Sequence, residues 1–245
     1  MSTSPHPEAV AEQITGLEAV TAALEQGVSI DRVLVDRDHD TVALRALCEA
    51  RDIPLEEGSA NDLWRMSSDG AQVALALVGR PQWTTLEEVV EAGGCIWFFD
   101  GVEYSTNLGF AIRTAEVSGA HAVLLNVHKT HEERRTIRRA SMRADRFIPV
   151  IYSSTEEILT AVTKRGLTMI AAEDIGVKSP WEVDMSGDVV LVVGAEREGV
   201  SSAVLEACDE VVRLPMEGFV PSYNLQVAVS VMAVEALRQR QTKGN

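Results

Sequence analysis

Cysteine, aromatic residues and long apolar runs are all scarce in this chain, and each shortage excludes something. Three cysteines in 245 residues (Cys48, Cys95, Cys208) are far apart, odd in number and without metal-ligand spacing. They exclude a disulfide framework and read as small buried hydrophobes in a reducing, cytoplasmic setting. The longest apolar runs, such as residues 73–78, fall far short of the ~18 residues of a membrane helix. Residues 1–7 offer neither a basic n-region nor an apolar h-region, so no secretory signal is expected. A positive balance is missing as well. The 22 basic side chains face 37 acidic ones, a net charge of −15, which speaks against a general nucleic-acid binder. With 46% hydrophobic residues the chain still has material for a real core, so collagenous and disordered classes are excluded.

Several catalytic signatures are absent too. No Gly-x-x-x-x-Gly-Lys phosphate loop and no Gly-x-Gly-x-x-Gly after a strand supports an NTPase or dinucleotide reading. There is no Gly-x-Ser-x-Gly elbow. His128 and His131 have no third ligand nearby, so they are expected to be surface histidines and no metal is expected.

What is present is an alternation of helix and strand along nearly the whole chain, which implies an α/β fold with a mainly parallel sheet in each half. The break at Gly79-Arg80-Pro81-Gln82 divides it into residues 1–83, a linker at 84–93, and residues 94–245. The final helix, read over residues 223–240, places Leu225, Val227, Val229, Val231, Met232 and Val234 all round its circumference. Such a helix is buried on every side, with a second subunit as the expected cover. Residues 128–146 carry seven basic and three acidic side chains, leaving −19 on the rest of the chain. Read as one helix, they put Arg135, Arg138, Arg139, Arg143 and Arg146 on one face and Ile137, Ala140, Ala144 and Phe147 on the other. Arginine forks suit phosphate oxygens, so RNA is the expected ligand of that face.

Three segments follow predicted strands in the second half, where ligands bind in open α/β sheets. The first is Asp100-Gly101-Val102-Glu103-Tyr104-Ser105-Thr106-Asn107-Leu108-Gly109-Phe110-Ala111-Ile112-Arg113, with Asn107 in a helix N-cap position. The second is Val193-Gly194-Ala195-Glu196-Arg197-Glu198-Gly199-Val200-Ser201. The third is Leu214-Pro215-Met216-Glu217-Gly218-Phe219-Val220-Pro221-Ser222-Tyr223-Asn224-Leu225. Singly each is weak, since Ser-x-Asn alone is also an ordinary helix cap.

In this order and spacing the three segments resemble the motifs of the SpoU (TrmH) family of AdoMet-dependent RNA ribose 2′-O-methyltransferases, within the SPOUT class. The resemblance spans residues 95–240. Length and layout are most similar to the branch acting on a guanosine of large-subunit ribosomal RNA. It implies a catalytic SPOUT domain whose C-terminal chain forms a trefoil knot, and a homodimer with the AdoMet site at its interface. It further implies that the first half is a small RNA substrate-binding domain of ribosomal-protein type. Matched by motif, the catalytic group is Asn107, Arg113, Glu196, Ser222 and Asn224. The cofactor loops supply Gly194, Ala195, Glu196, Gly199, Leu214, Pro215, Met216, Tyr223, Asn224 and Leu225. Three positions depart from the pattern. Tyr104-Ser105 replaces a common Asp-Pro pair, Tyr223 replaces a leucine, and Arg143 stands where glycine is usual. The implied reaction is attack of a ribose 2′-hydroxyl on the AdoMet methyl. A guanidinium stays charged in proteins, so Arg113 is expected to clamp phosphate rather than act as base. Two other readings stay open: a methyltransferase acting on transfer RNA, and a catalytically silent RNA-binding homologue.

Overall fold

The computed structural model describes residues 12–79 and 83–243. The N-terminal stretch 1–7 and the centre of the Gly79–Gln82 break, residues 80–82, lie outside the described residues. The chain divides into two compact units, Met1–Gln82 and Trp83–Asn245.

The first unit runs β1 (Glu12–Thr15), α1 (Leu17–Glu25), β2 (Arg32–Asp36), α2 (Val42–Ala50), β3 (Leu55–Gly58), α3 (Ala60–Met66) and β4 (Ala74–Val78). Its sheet order is β1-β4-β2-β3. Only β2 and β3 pair in parallel, while β4 runs antiparallel to both β1 and β2. The expectation of a mainly parallel sheet in each half is therefore corrected for this unit. After α3 the chain turns back through residues 67–73, where Ser67 and Asp69 accept from the Ala71 amide. Thr15 on β1 donates to Asp69 and Gln13 donates to the Met66 carbonyl. That turn sends β4 into the sheet from the opposite end, which alternation alone does not reveal. Val20, Leu24, Val33, Val35, Leu44 and Cys48 form the core.

The second unit opens with α4 (Leu86–Ala92), so residues 84–93 are not a linker. Thr85 and Glu88 form a reciprocal capping box that starts this helix, and Leu86, Val89 and Val90 are buried in the unit's core. Then follow β5 (Cys95–Asp100), α5 (Ser105–Val117), β6 (Ala122–Leu125), α6 (His131–Ala140), β7 (Val150–Tyr152), α7 (Thr155–Arg165), β8 (Thr168–Ala172), β9 (Val189–Gly194), α8 (Ser202–Ala207), β10 (Glu210–Val212) and α9 (Leu225–Lys243). The sheet is six-stranded, in the order β10-β8-β9-β5-β6-β7, and every pairing is parallel. Period-two alternation splits β5 between two cores. Trp97 and Phe99 face α5 and α9, whereas Ile96 and Phe98 face α4, α7 and α8.

Within one chain the last helix is covered on one side. Leu225, Val229, Met232, Ala233 and Ala236 are buried, a single stripe packed on α5 and β9. Val227, Val231 and Val234 form a second stripe that is exposed within one chain, Val234 to 64%. No helix among the described residues is long and apolar enough to cross a membrane.

Candidate active site

The chain leaves β5 and β9, neighbours in the sheet, in opposite directions: β5 leads on to β6, and β9 leads past β8 to β10. That divergence opens the crevice in which open α/β sheets hold ligands. Asp100, the last residue of β5, lies opposite Gly194, the last of β9.

A row of polar side chains closes these strands. Asp100 is buried, accepts from Asn126 Nδ2 at 2.6 Å and from the Ser201 amide at 2.7 Å. Asn126 follows β6, accepts from the Gly101 amide at 2.8 Å and also donates to Thr155 on α7. Glu173 follows β8 and accepts from the Val200 amide. Burial pushes the Glu173 carboxyl up, the Val200 amide opposes this, and the charges of Asp174 and Asp100 add to it. None of Asp100, Asn126, Thr155 or Glu173 was singled out from sequence. The available signal was a polar residue ending an apolar run: Phe98-Phe99-Asp100, Leu124-Leu125-Asn126, Ala171-Ala172-Glu173.

The first two motif loops are joined by Glu196. Its carboxylate accepts from the Glu103 amide at 3.0 Å, the Tyr104 amide at 3.3 Å and Asn107 Nδ2 at 2.9 Å. Asn107 is therefore not the N-cap of α5, as the sequence suggested. The helix starts at Ser105 and its N-cap residue, Tyr104, makes no side-chain cap. Glu196, brought in from the β9 loop, instead holds the two amides that lead into the helix, placing a negative charge at its N-terminal end. The Glu103 carbonyl is held as well, because the buried Lys129 donates to it at 2.5 Å. Both sides of this peptide are thus fixed without the proline that is usual there. Arg113 lies two turns along α5, exposed, and makes no hydrogen bond or ion pair among the described residues.

The second loop folds on itself. The amides of Ala195 and Gly199 donate to each other's carbonyls at 3.0 Å. Gly194 and Gly199 permit this: a Cβ on Gly194 would stand 1.9 Å from the Gly199 carbonyl carbon, and Gly199 has φ +70°. The result is a tight, self-bonded loop at the end of β9, with Glu196, Arg197 and Glu198 at its tip.

The third segment, 214–225, is largely exposed. Tyr223 Oη donates to the Pro215 carbonyl at 2.9 Å and closes the loop. Asn224 accepts from the Gln226 amide at 3.0 Å, capping α9. Leu214 and Leu225 are buried, Pro215, Ser222, Tyr223 and Asn224 exposed, and Met216 half-buried. Among the described residues no hydrogen bond ties this segment to the first two loops.

The basic segment departs from a single helix. α6 ends at Ala140, and Met142 and Arg143 both take left-handed backbone, with φ of 53° and 68°. A 3₁₀ turn over Ala144–Arg146 follows. Arg143 and Arg146 therefore leave the face shared by Arg135 and Arg139, because the reversal buries Ala144 and Ile148. Burial pushes the Asp145 carboxyl up, against the positive charges of Arg138, Arg143 and Arg146. Arg138, Arg143 and Arg146 are half-buried, while Arg135 and Arg139 are exposed. Arg134 lies over the Tyr152 ring, 4.6 Å from its centroid.

Elsewhere, a cavity of about 590 Å³ lies beside β7, lined by Thr84, Glu87, Tyr152, Glu156 and Lys164 among others, and includes no residue of the three loops. His128 and His131 are exposed. Burial pushes the thiols of Cys48, Cys95 and Cys208 up, the last to about 12 with Asp209 and Asp100 adding to the effect.

Comparison with known proteins supplies the family. Residues 95–234 match the model of the SpoU rRNA Methylase family. The 23S rRNA (guanosine-2′-O-)-methyltransferase RlmB of Pseudomonas aeruginosa is 31% identical over 240 residues, spanning 94% of this chain and 97% of that protein. Its counterpart in Pseudomonas putida is 29% identical over 243 residues, spanning 95% and 98%. Among solved structures, an RNA 2′-O ribose methyltransferase has a TM-score of 0.57 at 26% identity, over 94% of this chain and 89% of that one. The AdoMet-bound rRNA methyltransferase of Sinorhizobium meliloti shares the fold, with a TM-score of 0.61 at 24% identity over 93% and 87%. Strand-end loops joined through Glu196, an all-parallel sheet and a match over most of the second unit converge on one conclusion: the chain belongs to the SpoU rRNA methylase family.

Proposed function

We propose that this protein methylates the ribose 2′-hydroxyl of a guanosine in large-subunit ribosomal RNA, using AdoMet, in the cytoplasm. The observation that carries the reading is the Glu196 junction, which brings the Asn107 loop and the glycine-bounded 194–199 loop into one site. The relatives named for this reaction span nearly the whole chain.

Loop 194–199 receives AdoMet, with Leu214, Pro215, Met216, Tyr223, Asn224 and Leu225 completing its pocket. AdoMet supplies an electrophilic methyl on a sulfonium, an already activated leaving group. Arg113 clamps a phosphate beside the target ribose and orients the 2′-hydroxyl, whose proton passes to that phosphate or to water. Asn107 and Glu196 hold the start of α5, and so the direction in which Arg113 reaches. Catalysis is then mostly positioning.

A homodimer is part of the reading. Phe110 and Val117 on α5, and Val227, Val231 and Val234 on α9, are exposed apolar side chains on two helices that pack together. Arg113 lies in the same stripe of α5, so a second copy covering these residues also borders the site. A trefoil knot at the C-terminal end of this unit belongs to the same reading and rests on the resemblance of the three motif segments. We assign the first unit to substrate binding. Residues 12–79 carry 13 acidic and 5 basic side chains, so it would read RNA shape and base edges rather than attract phosphate.

The deciding experiment is a map of ribose methylation on large-subunit RNA from a strain lacking this chain. One 2′-O-methylguanosine should disappear and return on complementation. An unchanged map overturns the proposal.

A further inference from the structure

Glu173 has no part in the scheme above, yet it grips the loop on which that scheme depends. Its carboxylate accepts the Val200 amide from behind the loop. The neighbouring amide, Ser201, donates to Asp100, which Asn126 holds in turn. Two successive amides are thus taken by two carboxylates, one ending β5 and one just after β8. Gly199 belongs to the same arrangement. A Cβ there would stand 2.6 Å from Glu173 Oε1, so the motif glycine keeps open the gap through which the carboxylate reaches Val200. Gly194 lets the loop fold on itself; Gly199 lets it be pinned.

We propose that Glu173 is a positioning residue for AdoMet: it accepts the Val200 amide and so holds loop 194–199 in the shape that receives the cofactor, touching neither cofactor nor ribose. This rests on reading that loop as the cofactor site. The role needs an acceptor oxygen rather than a charge. Glutamine therefore serves and alanine does not, because alanine leaves the Val200 amide without its partner.

The test is calorimetric titration of the full-length protein with AdoMet, together with hydrogen exchange at residues 194–201 and kcat at saturating AdoMet. No binding by the unaltered protein would defeat the cofactor reading itself. Where that protein binds, Glu173→Ala should raise Kd about 10-fold or more and speed exchange at Val200, with kcat changed by less than about 3-fold. Glu173→Gln should stay within about 3-fold of the unaltered protein in every readout. Glu173→Ala binding normally, Glu173→Gln failing as badly as alanine, or a fall in kcat at constant Kd would each overturn the proposal. If Glu173→Ala does not fold, Glu173→Gln decides: preserved affinity and a protected Val200 amide support it, and a loss of about 10-fold refutes it.

Discussion

Arg113 stands on α5 three residues from Phe110 and four from Val117, and all three side chains are exposed. A guanidinium kept on an apolar stripe, with no hydrogen bond or ion pair among the described residues, is poised for an anion that arrives with the substrate. Arg113→Ala should therefore leave AdoMet affinity nearly intact and lower methyl transfer by about 100-fold or more, as loss of a positioning group does. Single-turnover kinetics with calorimetry would check it, and activity within a few-fold of the unaltered enzyme would sink the role. Arg143 makes a different point. Its φ of 68° costs a non-glycine residue about 1–2 kcal/mol, which explains why glycine is usual there and places Arg143 among the charges around Asp145.

At the scale of elements, local signals were legible and long-range partners were not. The bounds of α7 and of strands β6, β7 and β8 could be read from period and flanking residues alone. So could the loops that carry the candidate site. The role of Glu196 could not, because its amides lie some ninety residues upstream and no local pattern links them. The linker reading of 84–93 failed differently: the Thr85–Glu88 box was visible, but the apolar residues behind it are few. The same device starts α7, where Glu157 accepts from Ser153, the Ser154 amide and the Ser154 hydroxyl. These bonds hold its carboxyl at about 2 against an ordinary 4.5. A depressed carboxyl adds stability above the ordinary value, and that contribution fades as pH falls through the depressed one. Glu157→Gln should accordingly melt at lower temperature than the unaltered protein at pH 7, and the difference should vanish near pH ~2. Equal melting temperatures at pH 7 would show that the cap contributes nothing.

Over the whole molecule, an acidic chain must hold RNA with few cations. With Arg138, Arg143 and Arg146 half-buried, the exposed pair Arg135 and Arg139 on α6 carries the sharpest test. Replacing both with alanine should weaken RNA binding and flatten the log K against log[salt] slope by about one unit or more, leaving AdoMet affinity unchanged. Unaltered slope and affinity would reduce that face to a solvated surface. The apolar stripe on α9 invites a second test of the proposed dimer. By light scattering the unaltered protein should be a dimer and Val231→Glu a monomer that no longer methylates, since Arg113 borders the same surface; a monomeric unaltered protein or a dimeric variant would overturn this interface. One consequence concerns synthesis. The central strands β5 and β9 pair Cys95 with Val189, so the middle of the sheet cannot close until nearly a hundred further residues have left the ribosome. At ~5–20 residues per second that is a wait of roughly 5–20 s, during which Trp97, Phe98 and Phe99 lack a strand on one side. The nascent chain is most exposed to aggregation then, and destabilising changes in β9 should show first as poor yield of soluble protein rather than as lost activity.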